Sequence, residues 1–420
     1  MPEKNRISRR EFLKLLLSSG AAMFILAKLK VPLAHSILGF SYDTVRQPYH
    51  TISMESNDHN NDNNNSIIEF KVGVNHPWFG NKYGTDIGYN QFSGNALWNT
   101  PSAEEVPIDL SKPDPNPPKP YLSDHPEEIE NFFQKVQGID LVRIWLFEGI
   151  EGLKFDGNQN NKLVGVDTEI INNLKKILDT AQRYDIQVLP TLLNSWDSVF
   201  GSPPGGLTEK RLESYNKMKD ARRAILKTIV ENPDDFSNMV IVPLVNPIKE
   251  HPALYAIDLV NEPEFMVEGQ ISDALVKEDD MTNFIRKCAL DMGNRMLPPK
   301  KLNVTVGCAK TETAQRYSVL PIDFAQVHDY RSEEYKEIDV YNPSQYNGKP
   351  CLIGECGYSK TRDENNKEVN EVAVTEKIVR DAKFKGYRGA LVWELLDGQF
   401  ISEEHGSEIL AWLKIKIKGQ

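Results

Sequence analysis

Eight short apolar runs, nearly all followed by a stretch with amphipathic helical spacing, constrain the fold of this chain more than any other feature. Strand-like runs that alternate with helices are typical of parallel βαβ units, because parallel strands need a crossover that a helix can supply. Eight such units favour a single (β/α)8 TIM barrel over an open doubly wound sheet. An open dinucleotide-binding sheet should carry G-x-G-x-x-G after its first strand, and none follows the first run.

The element positions follow from this pattern. The predicted strands are 69–75, 141–147, 187–193, 254–260, 302–306, 324–328, 350–354 and 389–393. The predicted helices are 126–138, 168–184, 207–231, 272–292, 311–318, 371–385 and 403–415, and the connection from the sixth run to about residue 341 is poorly patterned. The chemistry of such barrels lies at the carboxyl ends of the strands, so those ends are where candidate residues are sought.

Composition excludes several classes of protein. The 420 residues are 40% hydrophobic and 26% charged, with a net charge of −11, which rules out a wholly disordered chain, a collagen-like chain and a multi-span membrane protein. The acidic balance argues against nucleic-acid binding, which depends on Lys and Arg at phosphates. The four cysteines show no C-x-x-C spacing, so we expect small buried thiols rather than a disulfide scaffold or zinc ribbon.

The N-terminal segment has the features of an export signal. Residues 8–14 read S-R-R-E-F-L-K, which resembles the twin-arginine signal, and the apolar stretch 15–27 that follows is too short to span a bilayer comfortably. Lys28 and Lys30 then interrupt it. The sequence therefore predicts a signal over 1–35, transient membrane contact and a periplasmic, cell-surface or extracellular location. A short membrane anchor is the alternative, and no sharp cleavage site stands out.

The rest of the chain divides into a spacer and one domain. Residues 55–66 are almost all Asn, Asp, Ser and His, which cannot bury apolar surface, so 36–66 is predicted to be a disordered spacer. The domain is predicted over 67–420, as a monomer with extended βα loops, of which 101–124 is the longest. No haem, iron–sulfur or Rossmann motif occurs, so we expect no cofactor.

Two carboxylates follow predicted strands that face each other across such a barrel. The fourth run ends in Asn261-Glu262-Pro263, and the seventh ends in Glu355-Cys356-Gly357. A pair of carboxylates across a pocket is what glycoside hydrolysis requires, because one must hold a proton and the other must stay ionised. Two like charges close together raise one of the two pKa values, which makes that division possible near neutral pH.

This arrangement resembles the clan A glycoside hydrolases, and family 5 in particular, which holds cellulases and β-mannanases. Further matching positions carry the resemblance over about residues 70–415: Arg143 on the second run, His328 and Tyr330 at the end of the sixth, and Trp393 at the end of the eighth. The resemblance implies a retaining β-glycosidase with an oligo- or polysaccharide substrate. β-1,4-Glucan or β-mannan is expected, by endo or exo action.

The resemblance also implies a role for each matching residue. Glu262 becomes the acid/base and Glu355 the nucleophile, with carboxyl groups about 5–5.5 Å apart. Asn261 is expected to hydrogen-bond the sugar 2-hydroxyl. Arg143 and Tyr330 are expected to hold Glu355 ionised, His328 to help set the acid/base proton, and Trp393 to floor the −1 sugar site.

Other positions depart from the family or have less specific signals. Asn194 ends the third run where many members carry His, and we expect it to donate a hydrogen bond there. Glu264 occupies a position where mannanase relatives often carry Arg, which leaves the sugar open. Tryptophans at or after strand ends are candidates for stacking on sugar, although packing in the core or in loops fits them equally: Trp78, Trp98, Trp145 and Trp196.

Acidic residues after the second run are interpreted more simply. Glu148 and Glu151 are expected to be solvated. Asp156, Asn158, Asn160 and Asp167 loosely resemble a calcium loop, but Gly at position six and Glu at position twelve are missing. A hairpin turn is the simpler interpretation.

Two alternatives to hydrolysis remain open. The same barrel could serve a carbohydrate-binding or transglycosylating surface protein, and water access to the reaction intermediate would discriminate these. A binding-only barrel would be expected to have lost one carboxylate, and both are present. A redox protein exported by the twin-arginine route would need a metal or nucleotide motif, and none is present.

Overall fold

The computed structural model describes residues 70–92, 111–157, 161–198, 209–268, 274–294, 302–330, 341–357, 371–394 and 403–416. The predicted signal, the predicted spacer and Trp98 lie outside the described residues, as does part of the predicted loop 101–124. Among the described residues, no helix combines the length and the apolar character needed to cross a membrane.

Eight parallel strands close into a barrel, which confirms the predicted TIM barrel. The strands of the molecule are β1 Lys71–Asn75, β2 Leu141–Trp145, β3 Leu153–Phe155, β4 Leu163–Val166, β5 Gln187–Asn194, β6 Ile257–Asn261, β7 Val304–Cys308, β8 Ala325–Tyr330, β9 Cys351–Gly357 and β10 Gly389–Val392. The barrel order is β1-β2-β5-β6-β7-β8-β9-β10, and β10 pairs with β1. Strands β3 and β4 form a separate antiparallel hairpin.

The helices surround the barrel and lie close to their predicted positions. They are α1 Tyr121–Asp124, α2 Glu127–Val136, α3 Thr168–Arg183, α4 Glu209–Glu231, α5 Pro233–Phe236, α6 Val242–Val245, α7 Glu264–Val267, α8 Glu278–Asn294, α9 Thr311–Tyr317, α10 Glu371–Phe384 and α11 Glu403–Lys416. The sequence pattern missed the short α1, α5, α6 and α7, and α1 forms the end of the segment predicted as the loop 101–124. A π-helical segment, Ser237–Ile241, joins α5 and α6. Prolines in the first turn of both helices broke the periodicity there.

Helix periodicity decides which side of each helix meets the barrel. In α2 the buried residues recur at helical spacing, at Ile129, Phe132, Phe133 and Val136. In α3 the buried apolar residues follow the same rule. These stripes join the outward-facing strand residues in one large hydrophobic core between strands and helices.

Inside the barrel, strand alternation produces layers of different chemistry. The lower layer is apolar and contains Leu141, Leu189, Ala256, Phe324, Leu352 and Leu391. Side chains two positions further along a strand point the same way, so the next layer is filled by the residues at i+2. On β2, β5, β6 and β8 these are Arg143, Thr191, Asp258 and Gln326, all buried. An apolar plug therefore supports a polar layer just below the mouth.

The two glutamates after β2 are buried, so the prediction that they are solvated is wrong. Glu148 is 2% exposed and Glu151 is 0% exposed. The segment 146–167 packs against the segment after β1, and Gly88 N–H donates to Glu151 Oε2 at 3.2 Å. Burial and the neighbouring Asp86 raise the pKa of Glu151 well above its usual range.

The hairpin interpretation of residues 156–167 agrees with the structure. Strands β3 and β4 pair antiparallel, and the N–H of Asp156 donates to the carbonyl of Lys162 at 3.0 Å. Asp167 caps α3, since its Oδ1 accepts the N–H of Glu169 and its Oδ2 accepts that of Tyr89, both at 3.0 Å. Both oxygens thus have donors within the fold, whereas Asn158 and Asn160 lie outside the described residues.

This cap generates a first prediction. Asp167→Ala should lower the free energy of unfolding by about 1–2 kcal/mol, because it removes an N-cap acceptor and leaves the Tyr89 N–H without its carboxylate. Chemical denaturation followed by circular dichroism measures the change. Asp220→Ala, at an exposed position of α4, is the matched control and should change stability by less than about 0.5 kcal/mol. Equal effects of the two substitutions would contradict the capping role.

Candidate active site

The site is built around Arg143, which is fully buried in the polar layer of the barrel. Its Nη1 donates to Glu355 Oε1 at 2.5 Å, and its Nε and Nη2 donate to Asp258 Oδ2 at 3.0 and 2.7 Å. Nη2 also donates to Asn261 Oδ1 at 2.8 Å. Burial works to lower the pKa of Arg143, but Asp258 and Glu355 outweigh it and raise that pKa. The guanidinium is therefore a permanent cation between two carboxylates.

Irregularities in the strands bring the site residues to the mouth. Asp258 pairs with Thr305 and Asn261 pairs with Gly307, so β6 has one residue more than β7 between these two pairs. In β9, one extra residue stands opposite Val327–His328, and another irregularity faces β10. An extra residue of this kind changes which side chains face inward and is frequent next to active sites. It explains how Glu355 can face the same interior as its neighbours in the polar layer.

A glycine is required where Arg143 approaches β7. A Cβ on Gly307 would lie 2.9 Å from Arg143 Nη2 and 2.4 Å from Gln326 Nε2, distances that real Cβ atoms essentially never show. The backbone of β7 can therefore lie against the guanidinium only because residue 307 has no side chain.

Glu355 accepts hydrogen bonds at both oxygens. Tyr330 Oη donates to Oε2 at 2.5 Å, and Arg143 holds Oε1. His328 Nδ1 lies 3.5 Å from Oε2. Burial raises the pKa of Glu355, while Arg143 and the Tyr330 hydroxyl oppose that rise. The pKa of Glu355 is raised on balance, while its hydrogen bonds from Arg143 and Tyr330 stabilise the carboxylate form that a nucleophile needs.

Glu262 has a different environment. Trp196 Nε1 donates to its Oε2, and its Oε1 lies 2.8 Å from His328 Nδ1. Burial raises the pKa of Glu262 to about 7, although Trp196 works in the other direction. Burial also lowers the pKa of His328 to about 4, so the imidazole is neutral near pH 7. Glu262 is thus suited to hold a proton at neutral pH.

The backbone at Glu262 adopts the left-handed region, with φ of +51°. Residues other than glycine adopt this region uncommonly, and functional sites often contain them. Its N–H donates to the carbonyl of Gly307 at 2.6 Å, and the hydroxyl of Ser195 donates to its carbonyl oxygen. These two bonds hold the conformation that turns the chain at the end of β6.

The two carboxyl groups lie close together. Glu262, His328 and Glu355 each present an atom within 4.8 Å of the others. Retaining glycosidases place their carboxyl groups about 5–5.5 Å apart, whereas inverting enzymes leave about 6.5–9.5 Å for a water molecule. The close approach of Glu262 and Glu355 fits double displacement and leaves too little room for the inverting geometry.

Asn261 and Asn194 belong to one hydrogen-bonded chain. Asn261 Nδ2 donates to Asn194 Oδ1 at 3.1 Å, and Asn194 Nδ2 donates to Glu148 Oε1 at 2.8 Å. Asn194 therefore donates its hydrogen bond to another side chain of the protein, Glu148. Asn194 orients Asn261, and the sequence pattern did not reveal this relay because it made no prediction about Glu148 except solvation.

The tryptophans divide into packing residues and mouth residues. Trp145 is 1% exposed, stacks on the Arg143 guanidinium at 4.2 Å and meets Trp393 edge-on at 5.2 Å. Trp78 is also buried, with its ring 5.8 Å from that of Tyr83. Both rings are buried, and their predicted contact with substrate stays a prediction. Trp393 is half-buried at the mouth and precedes a cis peptide bond.

Three further positions matter that the sequence reasoning did not assign. Trp196 was predicted either to stack on sugar or to pack, but it donates to Glu262 and its ring packs on Phe265 at 4.3 Å. Asp258 was passed over inside a predicted strand, although a charged residue within a buried run signals an ionic partner. Glu264 is buried, its Oε1 accepts the Lys310 N–H at 3.0 Å, and burial raises its pKa to about 7.

The fold and the paired carboxylates define a barrel of the type that glycoside hydrolases use, and comparisons with known proteins agree. No family model matches the chain. It is 21% identical over 389 residues to a mannan endo-1,4-beta-mannosidase of Cryptopygus antarcticus. The alignment covers 83% of this chain and 86% of that protein. It is 30% identical over 128 residues to a mannan endo-1,4-beta-mannosidase of Mytilus edulis, covering 30% and 29% of the two chains.

Solved structures share the barrel. The β-mannanase of the blue mussel Mytilus edulis superposes with a TM-score of 0.53 at 19% identity, over 82% of this chain and 92% of that one. The endo-1,4-β-mannanase of Eisenia fetida gives a TM-score of 0.53 at 20% identity, over 83% and 91%. At these identities the likeness establishes the fold.

The Trp196–Glu262 hydrogen bond generates a second prediction. Trp196→Phe removes a donor to the ionised carboxylate, so the pKa of Glu262 should rise from about 7 by about one unit. The basic limb of kcat/KM, where the acid loses its proton, should move to higher pH by the same amount. Phe265→Leu is the matched control, because it removes only the packing on the ring. A basic limb that stays in place in Trp196→Phe would contradict this role.

Proposed function

We propose that this chain is a retaining glycoside hydrolase that cleaves β-1,4-linked mannan. The observation that carries the proposal is the close pair of buried carboxyl groups in unequal environments. Glu262 lies beside neutral donors, while Glu355 is paired with Arg143. The named activity of the relatives supports mannan over glucan within the two sugars that the sequence left open.

The reaction follows from these roles. Glu355 attacks the anomeric carbon while Glu262 gives its proton to the departing glycosidic oxygen, so the carbon–oxygen bond breaks as the carbon–carboxylate bond forms. The covalent glycosyl-enzyme then reacts with water. Glu262, now ionised, takes a proton from that water, and the C–O bond to Glu355 breaks. Two inversions give net retention.

The polar layer supports both steps. Arg143 and Tyr330 hold Glu355 in place for attack. In the second step their hydrogen bonds stabilise the Glu355 carboxylate as it leaves the sugar. Asn261 precedes Glu262 in the chain and shares Arg143 with Glu355. It can donate to the sugar 2-hydroxyl, an interaction that strengthens in the oxocarbenium-like transition state. The half-buried ring of Trp393 offers an apolar floor for the same sugar.

The alternatives receive less support. A protein that only binds carbohydrate has no need for a carboxyl group with a pKa of about 7 beside an ionised one. Transglycosylation would use the same first step and differ only in the acceptor. No feature of the described residues favours a redox role.

The proposal makes a third prediction. Residues 67–420 should release reducing sugar from β-1,4-mannan in preference to β-glucan or xylan. Glu355→Gln should abolish release, and Glu262→Gln should lower kcat about 10²–10⁴-fold, because it removes the general acid. Glu231→Gln, at an exposed position of α4, is the matched control and should retain full activity.

Two measurements distinguish retaining hydrolysis from inverting hydrolysis and from transglycosylation. The first product formed from mannan should have the β-anomeric configuration by proton NMR, since double displacement retains configuration. Products longer than the substrate would indicate transglycosylation. Release from glucan or xylan alone would contradict the mannan assignment. No release from any polymer would contradict the hydrolysis of polysaccharide.

We also propose that residues 1–35 direct export by the twin-arginine route, with a periplasmic, cell-surface or extracellular destination. The proposal rests on Arg9-Arg10 ahead of the apolar stretch. In a fourth prediction, Arg9→Lys/Arg10→Lys in the full chain should leave the enzyme inside a bacterial host, as measured by immunoblot of cell fractions. Arg6→Lys is the control and should not change export. Equal export of both variants would contradict the route.

A further inference from the structure

Asp258 binds more donors than any other side chain of the polar layer, although it touches neither glutamate. Its Oδ2 accepts from Arg143 Nε at 3.0 Å, Arg143 Nη2 at 2.7 Å, Thr191 Oγ1 at 3.1 Å and Gln326 Nε2 at 3.1 Å. Its Oδ1 accepts the N–H of Gly307 at 3.0 Å. Five donors thus converge on this carboxyl group, four of them on Oδ2.

The geometry of the guanidinium makes this contact directional. A guanidinium is planar and rigid, so holding its Nε/Nη2 edge determines where Nη1 points. In this structure Nη1 points at Glu355 Oε1, at 2.5 Å, and at Asn75 Oδ1, at 3.3 Å. The ring of Trp145 lies under the plane and blocks rotation out of it.

We propose that Asp258 is a positioning residue that acts on the nucleophile Glu355 through Arg143. Asp258 binds the Nε/Nη2 edge of Arg143, which directs Nη1 at Glu355, and it shares the positive charge of Arg143 with Glu355. This inference rests on the proposed function, because it assigns Glu355 the nucleophilic role. It extends the site within the polar layer, to a residue that reaches Glu355 only through Arg143.

Sharing the charge has a consequence with a definite sign. Glu355 faces Arg143 on β2, His328 and Tyr330 on β8 and Glu262 after β6. With Asp258 present, the positive charge of Arg143 is partly compensated by Asp258, a second anion, as well as by Glu355. Without that anion, the full cation would act on Glu355, lower its proton affinity and make it a poorer nucleophile.

A purely structural role predicts the opposite sign. If Asp258 only braced the barrel, its loss would let Arg143 move away from Glu355, and the proton affinity of Glu355 would rise. The direction of the pKa change of Glu355 therefore distinguishes the two roles, whatever the loss of activity.

The experiment compares Asp258→Asn with Thr305→Val, which removes a buried hydroxyl that donates to the carbonyl of Phe324. Turnover is measured on a dinitrophenyl β-mannooligosaccharide across pH, because this leaving group needs no acid and the acid limb then reports Glu355. Asp258→Asn should lower kcat/KM about 100-fold or more, and its acid limb should move down by about one pH unit. Thr305→Val should stay within about threefold of the native enzyme.

A second measurement does not depend on turnover. Titration of ¹³C-labelled glutamate carboxyl groups by NMR, with the Glu355 signal assigned by Glu355→Gln, gives the pKa of Glu355 in each variant. An inactive native protein would refute the proposed function, while this titration would still decide the role of Asp258. A pKa of Glu355 that rises or stays constant in Asp258→Asn would overturn the proposal.

If Asp258→Asn does not fold, Asp258→Glu keeps the charge and displaces it by one methylene. It should lower kcat/KM about tenfold or more with the acid limb unmoved, since direction is lost and charge is kept. Native kcat/KM in Asp258→Glu would overturn the positioning role.

Discussion

One buried guanidinium, shared by two carboxylates, is the interaction on which the rest of this site depends. A charge taken out of water is costly unless partners surround it, and Arg143 obtains its partners from other strands of the barrel. Asn75 comes from β1, Asp258 from β6 and Glu355 from β9. These strands meet only when the barrel closes, so closure and formation of the site are one event. Removing Arg143 would leave two carboxylates, Asp258 and Glu355, buried without their cation.

The same cation explains why two buried glutamates behave differently. Burial raises the pKa of both. Arg143 contacts Glu355 directly, whereas Glu262 is contacted by the uncharged Trp196 and by His328, which is neutral near pH 7. Placing the positive charge on one side of the pair assigns the proton to the other side. The division of labour therefore results from where Arg143 lies, and not from a difference between the glutamates.

Periodicity predicted most of the barrel because alternation of apolar and amphipathic segments is a local property. It also placed Glu262 and Glu355 at strand ends. It could not reveal the extra residues in β6 and β9, since a bulge depends on the pairing of neighbouring strands. Burial of Glu148 and Glu151 was missed for a related reason: loops that fold back over a barrel leave no period in the sequence. Asp258 was passed over although a charge inside an apolar run is a local signal that the sequence does contain.

The replacement of the expected His by Asn194 fits this electrostatic arrangement. Arg143 donates to Asn261 Oδ1, so the amide of Asn261 must present its Nδ2 toward Asn194, which accepts one N–H. An Asn at 194 can accept there and donate to Glu148 at once, and it does so without a titratable group. One N–H of Asn261 then remains for a sugar hydroxyl. Asn194 thus orients the sugar-binding amide and adds no second proton to a pocket where a single proton must reside on Glu262.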